Sequence, residues 1–152
     1  MGQKHIHKTY HENGNVRSVE EYVDNEREGL SRWFYENGTL EAEITFHRGH
    51  REGAYRSYYE NGKLWQEATY QGNVQVDVTR WYYETGELAS EVRYSAGKQH
   101  GETIWYYADG TVKLTETYRN GVLHGPTRAY DANGELLFED QYKDGAKVED
   151  DA

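Results

Sequence analysis

Six glycines stand at one fixed spacing in this chain of 152 residues: Gly14, Gly38, Gly62, Gly86, Gly110 and Gly134, each 24 residues from the next. A fixed period of this length marks a repeat architecture, in which each unit is one supersecondary element that buries its apolar surface against its neighbours. Other columns keep the same period. Four residues before each glycine stands Tyr10, Phe34, Tyr58, Tyr82, Tyr106 or Tyr130. Two after it stands Val16, Leu40, Leu64, Leu88, Val112 or Leu136, and eight after it Tyr22, Phe46, Tyr70, Tyr94, Tyr118 or Tyr142. A second turn column holds Asn25, Gly49, Asn73, Gly97, Gly121 and Gly145, and a third glycine column holds Gly29, Gly53, Gly101 and Gly125. Gly and Asn are the residues that tolerate positive φ.

Between the glycines lie β-formers such as Trp33-Phe34-Tyr35 and Trp81-Tyr82-Tyr83. Asn-Gly at 13–14, 37–38, 61–62 and 133–134 is the strongest short-range hairpin signal. No segment sustains a helical period. The pattern predicts an all-β fold: six tandem hairpins of 24 residues in an elongated, twisted antiparallel meander. About 12 strands at roughly 4.8 Å each would run about 55 Å. The repeat domain covers residues 9–146. Residues 1–8 form an N-terminal extension, 147–152 form an acidic tail, and both are expected to fray.

Two registers fit the Asn-Gly turns, and a slip of one residue exchanges the faces of a strand. A two-residue turn pairs Tyr35 with Leu40. A three-residue Glu-Asn-Gly loop with the glycine in a bulge pairs Phe34 with Leu40. The second is favoured because it gathers the constant columns, with Phe34, Leu40, Ile44 and Phe46 on one face, and Tyr58, Leu64, Ala68 and Tyr70 likewise. The opposite face then carries Trp33, Tyr35, Glu41 and Glu43, followed by Tyr59, Trp65 and Glu67, and then by Trp81, Tyr83 and Glu91. Rings interleaved with carboxylates suit a protein-binding surface, because Tyr and Trp offer much contact area for little lost rotamer entropy. The same rings recur at 24, so stacking from hairpin to hairpin explains them equally well. Trp65 differs, since its column otherwise holds Arg17, Glu41, Ala89, Lys113 and Leu137. The repeat does not require a ring there. A second irregularity is Val74 to Val78, where Asp77 replaces a glycine and Val76 lies in an alternating strand. The candidate contact residues are therefore Trp33, Tyr35, Tyr59, Trp65, Trp81, Tyr83, Glu43, Glu67, Glu91, Val76 and Asp77.

Composition narrows the partners. The hydrophobic fraction is only 36%, yet 15 Tyr and 4 Trp are present, so the chain folds on rings in place of a large aliphatic core. Net charge is −10, which disfavours nucleic acid and anionic membrane and favours a basic partner. There is no Cys, hence no disulfide framework and no thiolate metal site. No apolar run is long enough to span a bilayer, and the first ten residues lack the apolar core of a signal peptide. These points fit a cytoplasmic protein. His5 and His7 lack an evident third ligand, His47 and His50 sit in a turn, and His100 and His124 share a repeat column. No nucleophile elbow or phosphate loop occurs. No catalytic residue, metal ligand or cofactor is expected.

The unit Trp-Tyr-Tyr-x-x-Gly-x-Leu followed by Tyr-x-x-Gly-x-x-x-Gly resembles the MORN-type repeat in its bacterial variant form, most clearly at residues 33–53 and 105–125. The resemblance implies tandem hairpins and no catalytic motif. It also implies an antitoxin or immunity protein that binds a cognate toxin and occludes it, with a basic, nucleic-acid-targeting toxin suited to the charge. The alternative it implies is a scaffold that self-associates through open sheet edges.

Overall fold

The computed structural model describes residues 2–149, and every regular element among them is a β-strand. The chain forms two compact bodies. The first comprises the chain up to Val74 together with Glu84–Gly86. It holds β1 (Lys4–Tyr10), β2 (Val16–Val23), β3 (Glu26–Arg27), β4 (Gly29–Phe34), β5 (Leu40–His47), β6 (His50–Tyr58) and β7 (Leu64–Gln71). The second comprises Gln75–Tyr83 and the chain from Glu87. It holds β8 (Val74–Tyr82) from Gln75 onward, β9 (Leu88–Ser95), β10 (Lys98–Tyr106), β11 (Val112–Arg119), β12 (Val122–Tyr130), β13 (Leu136–Lys143) and β14 (Ala146–Lys147). In each body the long strands pair antiparallel in chain order, while β3 and β14 are two-residue pieces flanking a turn. The expected all-β meander of tandem hairpins is the fold.

Two turn types alternate. At the first, the Tyr35 carbonyl accepts from Gly38 N–H at 2.9 Å, and Tyr35 N–H donates to the Thr39 carbonyl at 2.9 Å. Gly38 takes φ 84°, closed to most side chains, and the Asn37 carboxamide oxygen accepts from Thr39 N–H at 2.8 Å. This is the three-residue loop with a bulge. Phe34 faces Leu40 and Trp33 faces Ala42, as the favoured register has it. At the second turn both central residues have positive φ, for example Arg48 at 48° and Gly49 at 75°. That is the tight two-residue turn whose twist matches paired strands. Asn25 and Asn73 hold φ 69° and 70°, and Asp77 holds 59° in the Gly29 column. Replacing glycine at these three positions leaves the turns intact, because Asn and Asp tolerate the left-handed region.

Pairing reaches further towards the N-terminus than the repeat period indicated, since β1 starts at Lys4 and Lys4 faces Val23. Lys147 belongs to β14, whereas residues 150–152 of the expected tail lie outside the described residues.

The bulge corrects the face assignment. Glu41 is the extra residue between the pairs Phe34–Leu40 and Trp33–Ala42, so alternation restarts there. Phe34 and Leu40 share a face with Arg32 and Glu43. Ile44 and Phe46 lie on the other, with Ser31, Trp33 and Ala42. Likewise Tyr58 and Leu64 part from Ala68 and Tyr70. Glu43 therefore lies on the face opposite Trp33, not beside it.

The face carrying Trp33 is the buried one. Ile44, Phe46, Ala68 and Val92 are its buried apolar side chains. Small residues stand opposite large rings: Trp33 faces Ser18 and Ala42, and Ser90 faces both Trp81 and Trp105. This large-to-small complementarity lets a sheet with few aliphatics exclude water. It also leaves polar atoms stranded. The hydroxyls of Ser31, Ser57, Ser90, Thr103 and Thr127 are buried without a hydrogen-bond partner. A buried unsatisfied hydroxyl costs about 1–3 kcal/mol. Thr103→Val keeps the side-chain shape and removes that cost, so it is expected to stabilise the protein by about 1 kcal/mol, or to raise Tm by about 2–4 °C. Thermal melting followed by circular dichroism checks this, and a lowered Tm would show that the hydroxyl has a bonding role.

Candidate protein-binding surface

The recurrent tyrosines are claimed by the fold. The phenol of Tyr35 donates to the Tyr58 carbonyl at 2.7 Å, 23 residues along the chain. Tyr83 does the same to Tyr106 at 2.6 Å, and Tyr107 to Tyr130 at 3.0 Å. The column begins with His11, whose Nε2 lies 2.7 Å from the Phe34 carbonyl. Each bond stitches one hairpin to the next. Burial first, and then the nearby Glu41 carboxylate, push the Tyr35 phenol above its ordinary range, so the group stays a neutral donor. The Asn of the first three Asn-Gly turns adds a second stitch, as Asn13 Nδ2 donates to the Glu36 carbonyl at 2.9 Å, Asn37 Nδ2 to that of Glu60 at 3.4 Å and Asn61 Nδ2 to that of Glu84 at 3.2 Å.

The second turns are stitched from another column. The Glu28 carboxylate accepts from Arg48 N–H at 2.7 Å, and Glu52 accepts from Gly72 N–H at 2.8 Å. His100 and His124 occupy the same column and accept from Asn120 and Asp144 N–H through Nδ1, at 3.4 and 3.3 Å. The two histidines thus hold turns together, as their shared column indicated. Val76 takes this column's place in β8 and has no acceptor to offer. Its neighbour Asp77 is exposed and pairs with Tyr94. The irregular segment is therefore a strand that lacks one stitch.

The glutamates predicted as contacts lie on the other face, in a ladder of ion pairs. Glu43 stands between Arg32 at 3.7 Å and Arg56 at 3.9 Å, and also accepts from the Tyr58 phenol at 3.4 Å. Glu91 binds Arg80 at 2.9 Å and the Tyr106 phenol at 2.9 Å. Burial, followed by the Glu91 hydrogen bond and charge, pushes the Tyr106 phenol up to about 12. Glu67 faces Arg56 across β6 and β7. Half-exposed pairs of this kind contribute about 0–1 kcal/mol each. Their clearer effect is to cancel charge within the sheet. Nine of the eleven candidate residues thus divide between two faces, Trp33, Tyr35, Tyr59, Trp65, Trp81 and Tyr83 on the side of the rings and Glu43, Glu67 and Glu91 on the side of the ladder, while Val76 and Asp77 lie in the irregular strand.

Trp65 stands apart for a reason that sequence alone did not supply. It is the extra residue of its bulge, between Leu64, which faces Tyr58, and Gln66, which faces Ser57. A bulged residue has no cross-strand partner, so its column is free to vary. In the first body the column presents Arg17, Glu41 and Trp65, and in the second Ala89, Lys113 and Leu137. Trp65 rests on Tyr59, with ring centroids 6.0 Å apart, and remains 45% exposed. Lys113 sits over Tyr107 in the same way, at 5.6 Å. Beside this column in the first body, Tyr10, Arg17, Trp33, Glu41 and Tyr55 help to line a cleft of about 760 Å³.

Comparison with known proteins rests on the repeat. The MORN repeat variant profile matches six times, at residues 6–24, 27–48, 51–71, 78–96, 99–120 and 123–144. The chain belongs to the MORN repeat variant family. Its six matched repeats form a repeat scaffold. No helix among the described residues of this MORN chain is long and apolar enough to cross a membrane. No curated protein matches it. Among solved structures it is similar to a mutant of S. aureus TarM in complex with Fondaparinux, alpha-GlcNAc-glycerol and UDP, at 14% identity and a TM-score of 0.42, covering 78% of this chain and 21% of that one. A second TarM structure matches at 17% identity and a TM-score of 0.40, over 62% of this chain and 20% of that one. Accessory secretory protein 1, 2 and 3 in Streptococcus pneumoniae matches at 10% identity and a TM-score of 0.24, over 82% and 18%. The MORN chain thus spans about a fifth of the length of these structures.

Proposed function

We propose that this MORN-repeat chain is an antitoxin or immunity protein, which neutralises a cognate toxin in the cytoplasm by binding and occluding it, without catalysis. The observation that carries this reading is Trp65, a large ring held half-exposed at the one repeat position where hairpin pairing makes no demand. Exposed Trp supported by a neighbouring ring is the composition of an interface hot spot. The net charge of −10 favours a basic partner, such as a toxin that acts on nucleic acid, by presenting the same sign as its substrate. The test is co-expression with the product of the adjacent gene. Co-purification and rescue of cell growth are expected, and absence of both would end the proposal. A second reading, an assembly scaffold, is favoured by the apolar strand end at Leu136, Leu137 and Phe138, which are 54%, 64% and 47% exposed.

A further inference from the structure

We propose that the cleft over Ala42, in the first body, takes the side chain of an arginine from a protein partner. This deepens the proposed function by naming the chemistry that the partner presents, and it rests on that reading for the partner's identity alone.

The cleft comes from a break in the repeat. The column of Trp33 continues as Ser57, Trp81 and Trp105, and the column of Ser31 continues as Tyr55, Thr79 and Thr103. In β6 the large and the small residue have changed places. The effect shows on the neighbouring strand. Ser90 faces Trp81 on one side and Trp105 on the other, and is 1% exposed. Ala42 faces Trp33 on one side and Ser57 on the other, and stays half-buried. Tyr55 stands two residues away, opposite Ile44, and is braced edge-on by Tyr70 at 6.2 Å. Ala42, Trp33 and Tyr55 thus help to line the cleft of about 760 Å³.

Charge selects the occupant. Glu12, Glu36 and Glu41 line the cleft against Arg17. None of these carboxylates forms an ion pair among the described residues, whereas Glu43 and Glu91 on the other face are paired with arginines. Glu12 and Glu36 lie beside first turns, and Glu41 is the bulged residue of its hairpin, so strand pairing uses none of the three side chains. Together they draw a cation.

The rings favour a flat one. Guanidinium groups already lie on rings in this body, Arg27 over Phe46 at 5.2 Å and Arg51 over Tyr70 at 5.0 Å. Trp is the strongest ring for such contacts, and Trp33 carries no cation among the described residues. An arginine stacks its plane on Trp33 and bonds a carboxylate with the edge of the same plane, which a lysine ammonium does not. Trp65 follows Glu41 in the column of bulged residues, two strands on, or about 10 Å across the sheet. A partner resting on Trp65 therefore reaches the cleft.

Titration of the full chain with the blocked tripeptide acetyl-Gly-Arg-Gly-amide, followed by proton–nitrogen NMR, tests the site. The indole N–H of Trp33 is expected to shift and to saturate in the millimolar range. The same peptide with citrulline in place of arginine keeps the shape and loses the charge, and is expected to bind at least about tenfold more weakly. Tyr55→Thr installs the residue that its column holds in later repeats, so the fold is kept, and Glu41→Gln removes one carboxylate. Each variant, folded by circular dichroism, is expected to weaken the arginine peptide by about three- to tenfold. An unshifted Trp33, equal binding of the citrulline peptide, or binding that both variants leave unchanged would overturn the arginine site. None of these results bears on co-purification or rescue, which decide the toxin reading separately.

Discussion

Gly125→Val is expected to destabilise the second body severely, by about 2–6 kcal/mol from strain and overpacking together. Gly125 lies at φ 120°, which L side chains rarely adopt. A Cβ added there would meet Thr117 Cβ at 3.1 Å and Cγ2 at 3.2 Å. The neighbouring pairing gives no room, since β11 and β12 shift register between Glu116 and Tyr118 at this point. Strain in the left-handed region costs about 1–3 kcal/mol, and an overfilled contact costs about as much again. The sum is a large share of the roughly 5–15 kcal/mol that holds an ordinary domain together. Gly53→Val is the control, for Gly53 shares the column at φ 86° with nothing within 4 Å of its added Cβ. It should show the backbone cost alone. Urea unfolding of the two variants separates the terms. Equal losses would mean that Thr117 yields freely and that close packing is not what this glycine column serves.

On the proposed function, Trp65→Ala is expected to weaken binding of the proposed toxin partner by about 30-fold, from the roughly 2 kcal/mol or more typical of a central Trp hot spot. Stability should change by about 0.5 kcal/mol or less, since the ring is 45% exposed and has no cross-strand partner. Isothermal titration and thermal melting of the same preparation give both quantities. Lost stability with unchanged affinity would assign the ring to the fold, through its contact with Tyr59.

Much of this was legible in the residues. The period gave twelve strands and their order, and the Asn-Gly turns gave the register that pairs Phe34 with Leu40. Trp65 stood out because its column varies. The face assignment was not legible. Counting by two from Phe34 through Leu40 to Ile44 ignores the residue that the bulge inserts, and that one residue turned Glu43 and Glu91 from companions of the Trp rings into rungs of an arginine ladder. The stitching bonds were equally hidden. Nothing in a column of Tyr at 24 tells whether the phenol bonds the next hairpin or faces solvent. The stranded hydroxyls of Ser31 and Thr103 were hidden as well, because a Ser or Thr in a strand reads as surface until pairing sets it opposite a buried Ile44 or Val92.

The sequence by itself determined the repeat, the turn chemistry and the strand pairing. These are local consequences of where Gly and Asn permit positive φ, and they recur because the spacing recurs. The tertiary structure alone decided which side chains share a face, which tyrosines are bonded, and why one column is free to vary. Those outcomes depend on a single inserted residue per hairpin and on contacts 20 to 23 residues away. The sides of a strand are set by pairing geometry, and a linear pattern does not carry that geometry across a bulge.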